Sequence, residues 1–171
     1  MCRILFADNV ETATSSFVHG HTYQGHPAGC AAALEVQRII REEKLLSNVQ
    51  AMGALLSKGL RGRLEGHPNV GDIRGRGLFW GIEFVADKKT LDPFPAEEHV
   101  AIAISELGLT PQYGIGVYPG SGSADGIRGD HIIISPAFNV RKDDIEWIVD
   151  TVARLVDDFF AGRVAGGGGG R

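Results

Sequence analysis

The sequence predicts an α+β fold: a small, mostly antiparallel sheet with helices packed on one face, preceded by two helices. Three observations predict it. Residues 143–160 carry Ile145, Ile148, Val149, Val152, Leu155, Val156 and Phe159 at helical spacing, so the chain closes on an amphipathic helix. Residues 78–85 and 132–134 are short aromatic and β-branched stretches bounded by Gly and Pro, the composition of strands. The periodicities run helix, long helix, strand, strand, helix, strand, strand, helix, and from Val70 onward that order fits a small, mostly antiparallel sheet with helices on one face.

Taken in order, Glu11-Thr12-Ala13-Thr14-Ser15-Ser16 reads as loop. Pro27 suits a helix start, where its missing N–H costs nothing, and Ala32, Val36, Ile39 and Ile40 place a helix over 28–43. The opening of that helix is nearly all Ala and Gly, which lets another backbone approach, either in ordinary packing or across a subunit interface. A second helix follows through Leu45, Val49, Met52, Leu56, Leu60 and Leu64, with Ser47 or Asn48 as its cap and Gly66 as its end. Gly75-x-Gly77 before Leu78 predicts a bulge or sharp bend. Residues 96–107 read as a helix between Pro95 and Gly108, with Val100, Ile104 and Leu107 inward, and residues 109–118 as a strand. Residues 119–126 form a loop, and Pro136 ends the strand at 132–134. Val164-Ala165 and the glycines that follow can bury nothing, so 163–171 is expected to be a disordered tail.

Bulk properties exclude several classes. With 171 residues, 43% hydrophobic and 22% charged, the chain is long enough for a real core. A net charge of −4 without a basic cluster gives no nucleic-acid footprint. No apolar run is long enough to span a bilayer, and Asp8 falls too early for a secretory signal. Cys2 and Cys30 do not make a disulfide framework, so a cytoplasmic protein is expected, with Cys30 buried and inert inside its helix.

The densest chemistry lies at Phe17-Val18-His19-Gly20-His21-Thr22-Tyr23-Gln24-Gly25-His26-Pro27, a loop running into a helix start. Such a loop presents backbone N–H groups and a Thr hydroxyl to an anion. His19, His21 and His26 match no zinc spacing and lack a carboxylate or thiolate nearby, so no metal is expected. The glycines at 75 and 77 are followed by a strand instead of a helix, which excludes a dinucleotide loop. No G-x-S-x-G occurs, His131 reads as a satisfied edge histidine, and Asp72, Arg74 and Arg76 read as a solvated or ion-paired segment.

His19-Gly20-His21-Thr22-Tyr23-Gln24-Gly25-His26-Pro27 with Cys30-Ala31-Ala32-Ala33 resembles the class III aminotransferases, pyridoxal-phosphate enzymes of fold type I also called omega-aminotransferases. The resemblance continues through Asn48-Val49-x-x-Met52-Gly53, Gly71-Asp72-Ile73-Arg74-Gly75-Arg76-Gly77-Leu78-Phe79-Trp80-Gly81-Ile82-Glu83-Phe84, Gly129-Asp130-His131 and Ser135-Pro136, over residues 17–160. It corresponds to the C-terminal portion of the family. The implied domains are a remnant of the large cofactor domain (1–43), a linking helix (44–66), the C-terminal small α+β domain (67–162) and the tail. The implied cofactor is pyridoxal 5'-phosphate, whose phosphate Thr22 contacts across a homodimer, with His21 offering its backbone N–H. The implied substrates are an amine or amino acid and a 2-oxo acid or aldehyde.

The family's Schiff-base Lys falls upstream of the Thr, at a position that precedes Met1, and Lys44, Lys58, Lys88, Lys89 and Lys142 match no such motif. No catalytic residue is therefore expected within the chain, and the isolated chain is expected to be inactive. Where some members place a carboxylate-gripping Arg on the strand before the Pro, this chain has Ile133; Arg128, in the preceding loop, resembles the mobile Arg of other members. Two other readings stand beside the aminotransferase fragment. One is a non-catalytic module that dimerises or binds a partner through the Ala-rich helix. The other is a small-molecule domain using the loop as an anion site.

Overall fold

The computed structural model describes residues 20–166, with side chains described through 163. The expectations for 1–19, His19 and the loop at 11–16 among them, and for 167–171 lie outside the described residues. The chain divides into two units, 1–39 and 40–171.

In the first unit, helix α1 starts at Pro27, within the span Pro27–Glu42, and none of that helix is buried. Leu34 is 70% and Val36 52% exposed. Cys30 is exposed too, against the expectation of burial, because this face of α1 has no layer over it within its unit.

The second unit is the predicted α+β layer pair. Its elements are α2 (Leu45–Leu64), β1 (Val70–Arg76), β2 (Phe79–Phe84), a 3-10 turn (Ala96–Glu98), α3 (Val100–Gly108), β3 (Tyr118–Gly120), β4 (Asp130–Ile134) and α4 (Lys142–Gly166). The sheet order is β1-β2-β4-β3, with every pair antiparallel. Ile73, Trp80, Ile82, Phe84, Ile132 and Ile134 form its inner face and share one core with α2, α3 and α4. Leu56, Leu60 and Leu64, the deepest part of the predicted stripe, are fully buried in that core. Helix α2 is thus as much a wall of the α+β unit as an approach to it. Small residues set its distances: a Cβ at Gly59 would lie 2.7 Å from a Val149 methyl, and one at Gly53 2.3 Å from the Gly77 carbonyl oxygen.

Several local expectations change. Neither Ser47 nor Asn48 caps α2; Lys44 precedes it in the left-handed conformation. The Asn48 amide instead donates to the Phe138 and Val140 carbonyls at 2.7 and 2.9 Å, tying α2 to the approach of α4. The bend lies at Gly77, whose φ of 58° opens the two-residue turn between Arg76 and Phe79, while the bulge falls at Gly71. The single helix expected over 96–107 is broken at His99, with φ 45°. The break arises because the buried Asp130 carboxylate accepts the Ala101 N–H at 2.9 Å and so caps α3 from outside.

Residues 109–117 are not a strand. Tyr113, Ile115 and Val117 do alternate inward. But Tyr113 and Gly114 donate back to Thr110, and Ile115 donates to Gly108, so the segment turns on itself and only 118–120 pairs. Helix α4 runs on to Gly166, past the point where the tail was expected.

Candidate functional site

The loop expected to meet an anion is a pair of tight turns. Gln24 N–H donates to the His21 carbonyl at 2.8 Å and His26 N–H to the Tyr23 carbonyl at 3.1 Å. Gly25, at φ 77°, makes the second turn possible. His26 is the residue that caps α1: its Nδ1 accepts the Gly29 N–H at 3.4 Å, and its ring meets Tyr23 edge-on at 6.0 Å. The capping work is therefore not done by Thr22. Thr22 is exposed, and its hydroxyl has no partner among the described residues. His21 beside it is exposed as well. A hydroxyl without a partner among the described residues, ahead of a helix N-terminus, is a donor suited to a phosphate oxygen. Among the described residues no group of three His, Cys, Asp or Glu is placed to hold a metal ion.

In the second unit, Arg128 lies in the loop between β3 and β4. That loop is closed by Ala124 N–H to the Arg128 carbonyl (2.9 Å) and Ser123 N–H to the Gly129 carbonyl (3.3 Å). Asp125 accepts the backbone N–H groups of Ile127 and Arg128 at 2.9 and 2.6 Å and the Arg128 Nε at 2.8 Å. These bonds, the Arg128 backbone N–H first, hold the Asp125 carboxyl down at about 2. Arg128 is exposed and already paired, so reaching a substrate carboxylate requires it to leave Asp125.

The helices cover one face of the sheet, and the other face is open. Strand register lays it out in rows. Asp72, Glu83, His131 and Gly120 form one row, Arg74, Gly81, Ile133 and Tyr118 the next, and Arg76 faces Phe79 in a third. Arg74 donates to Glu83 at 2.5 Å and Asp72 at 2.9 Å, and the Glu83 bond above all raises its pKa beyond the ordinary guanidinium value. His131, expected at an edge with its nitrogens satisfied, sits on an interior strand. Its Nδ1 is buried without a partner among the described residues. Sequence reasoning missed this face as a feature. The alternation of Phe79, Gly81 and Glu83 against Trp80, Ile82 and Phe84 was the signal that could have found it.

Other polar groups are committed to the scaffold. The Lys88 ammonium donates to the Glu65 and His67 carbonyls and closes the end of α2. His67 Nδ1 accepts the Asn69 N–H at 3.1 Å, its ring packs 5.3 Å from that of Phe160, and burial chiefly lowers its pKa.

Comparisons with known proteins converge. The family description "Aminotransferase class-III" matches residues 2–156. An aminotransferase of Gibberella zeae is 53% identical over 150 residues, which are 88% of this chain and 29% of that one. A probable gamma-aminobutyrate transaminase 3 of Oryza sativa subsp. japonica is 36% identical over 139 residues, 78% of this chain and 24% of its own. Among solved structures, an adenosylmethionine-8-amino-7-oxononanoate aminotransferase from Methanocaldococcus jannaschii superposes with a TM-score of 0.69 at 31% identity, over 84% of this chain and 30% of that one. An (S)-enantioselective omega-transaminase from Thermomicrobium roseum gives 0.69 and 31%, over 90% and 32%. The chain thus spans less than a third of the length of these relatives. With the family's description matched along almost its whole length and the fold shared with solved transaminases, the chain belongs to the class III aminotransferases of fold type I.

Proposed function

We propose that this chain is the C-terminal part of a pyridoxal-phosphate-dependent aminotransferase that moves an amino group between an amine or amino acid and a 2-oxo acid or aldehyde. The observation that supports it best is the exposed Thr22 hydroxyl, without a partner among the described residues, in a loop whose capping role belongs to His26. In this reading Thr22 and the His21 backbone N–H bind the cofactor phosphate of the neighbouring subunit in a homodimer. The dianion there gains a hydroxyl donor and a helix N-terminus. When bound, pyridoxal phosphate supplies the carbonyl carbon and electron-withdrawing ring that amino transfer needs. Arg128, released from Asp125, meets a substrate carboxylate. The uncovered Leu34 and Val36 of α1 favour a subunit contact along that helix. The protein acts in the cytoplasm; no helix among the described residues is long and apolar enough to cross a membrane.

The test joins this chain to the upstream region of the Gibberella zeae relative and titrates pyridoxal phosphate by absorbance. A hydrogen bond to a charged group contributes about 1.5–3 kcal/mol, so Thr22→Ala is expected to weaken cofactor binding by about 10- to 100-fold, with Thr22→Ser restoring most of it. Equal affinity in Thr22→Ala overturns the assignment. The isolated 171-residue chain is expected to show no transamination, and turnover by it would refute the fragment reading.

A further inference from the structure

The loop between β3 and β4 holds the chain's one Asp-Gly pair, Asp125-Gly126, and the chain has no Asn-Gly pair. An Asp followed by Gly is the aspartyl pair most open to attack by its own backbone, because glycine has no side chain to shield its nitrogen. Asp125 and Gly126 are both exposed. Gly126 has a φ of 89°, and no atom of the described residues lies within 4 Å of where its Cβ would stand. Sequence and access therefore both favour reaction at this pair.

Hydrogen bonds oppose it. The Asp125 Oδ1 accepts the N–H groups of Ile127 and Arg128 at 2.9 and 2.6 Å, and its Oδ2 accepts the Arg128 Nε at 2.8 Å. The carboxylate is thus held to donors beyond Gly126. The Gly126 N–H is engaged in the other direction, donating to the Gly122 carbonyl at 3.0 Å. The bonds to Arg128 and Ile127 also keep the carboxyl ionised, with a pKa of about 2. An ionised carboxyl repels a nucleophile and has no good leaving group, so it is the slow form. Most of these restraints are backbone bonds built into the loop. The Arg128 side chain is the one that can leave by itself, because it is an exposed arm in an exposed ion pair.

We propose that Asp125-Gly126 is a modification site, at which the aspartyl linkage isomerises to isoaspartyl under the control of the Arg128 side chain. The Gly126 nitrogen attacks the carbon of the protonated Asp125 carboxyl. A C–N bond forms, the C–OH bond breaks, and the hydroxyl leaves as water with the proton from nitrogen, closing a succinimide. Water then opens the ring at the α-carbonyl, so that the main chain runs through the former side-chain carbonyl and the carboxylate stands on the α-carbon. One water leaves and one returns, and no oxidant or cofactor is needed. The product places an extra methylene in the main chain inside the closure made by Ala124 N–H to the Arg128 carbonyl and Ser123 N–H to the Gly129 carbonyl. It also moves the carboxylate that held Arg128.

The experiment ages the 171-residue chain at neutral pH and measures isoaspartate at residue 125 by electron-transfer mass spectrometry, beside a synthetic peptide of residues 119–131 that has the pair without the loop's bonds. The wild-type chain is expected to isomerise about tenfold more slowly than the peptide, the weight of its hydrogen bonds. Arg128→Gln keeps the backbone donor and loses the ion pair, and is expected to raise the rate about threefold, the weight of one exposed pair. Salt of about 1 M, which screens such a pair, is expected to speed the wild-type chain and not the peptide, a readout that needs no variant to fold. Equal rates in the wild-type chain and the peptide would show that the loop gives no protection and would overturn the inference. So would Arg128→Gln at the wild-type rate, or a wild-type rate that salt leaves unchanged. No cofactor or substrate enters the experiment, so its failure would leave the aminotransferase reading standing.

Discussion

Replacing Asp130 by Ala tests how one buried carboxylate organises the second unit. Asp130 is 4% exposed, and its Oδ1 accepts the N–H of Ala101, itself 1% exposed, at 2.9 Å. The substitution removes the cap of α3 and leaves a buried donor without an acceptor. Loss of a cap costs about 1 kcal/mol. A stranded buried N–H costs about 1–3 kcal/mol. The two overlap, because both count the same hydrogen bond, so the expected loss is about 2–3 kcal/mol. With a urea dependence of about 1–3 kcal/mol per molar, the unfolding midpoint falls by about 0.7–3 M. Asp130→Asn keeps an acceptor oxygen and is expected to lose about 1 kcal/mol or less. The assay is urea unfolding followed by circular dichroism, with hydrogen exchange at the Ala101 amide as a local readout. A loss under about 0.5 kcal/mol in Asp130→Ala, within the range of ordinary surface substitutions, would refute the capping argument.

Two further outcomes follow from the same structure. Burial, the largest effect, lowers the His67 pKa, and Lys88 adds to this while Asp157 opposes it, so the folded state favours the neutral ring. The resulting stability is fully present above the unfolded value near 6.5 and is lost as pH falls from there through the folded pKa; the urea midpoint should drop between pH 8 and 5, and the drop should shrink in His67→Gln. Leu34, Val36, Phe79 and Tyr118 are all more than half exposed, so the isolated chain is expected to self-associate with rising concentration in sedimentation; a concentration-independent monomer would count against covered faces in the whole protein.

The fold was legible where one physical signal dominated. The stripes through Leu56, Leu60 and Leu64 and through Ile145 to Val156 named the buried helix faces, because helical periodicity records a one-sided environment. The segment 109–117 was misread for an instructive reason: Tyr113, Ile115 and Val117 do point inward at period two, but burial at that period does not require a strand partner. The break at His99 was invisible because its cause, Asp130, lies 31 residues later in sequence. In the candidate site, the Thr22 loop was legible through its Gly, His and hydroxyl density, whereas the rows of the open sheet face depend on strand register across β1, β2 and β4, which only the folded sheet sets.

The segments that carry the family resemblance explain why family is easier to read than substrate. Within Gly129-Asp130-His131, Gly129 takes a φ of 108° and leaves no room for a Cβ, whose nearest neighbour would be the Ala124 nitrogen at 2.5 Å. Asp130 caps α3. Gly75 and Gly77 bring the β1–β2 turn against Trp80 and α2, and the Trp80 indole N–H donates to the Gly77 carbonyl at 2.7 Å. Each of these residues solves a folding problem that any chain of this architecture meets, whatever its substrate. Under the proposed function, a substrate meets positions that the scaffold leaves free. Ile133 is half-buried on the open face, the Arg128 side chain is held by a surface pair, and Gly81 is held by neither packing nor φ. Substitution at such positions changes the fold least, so under the proposed function it is there that a change of substrate costs the scaffold least.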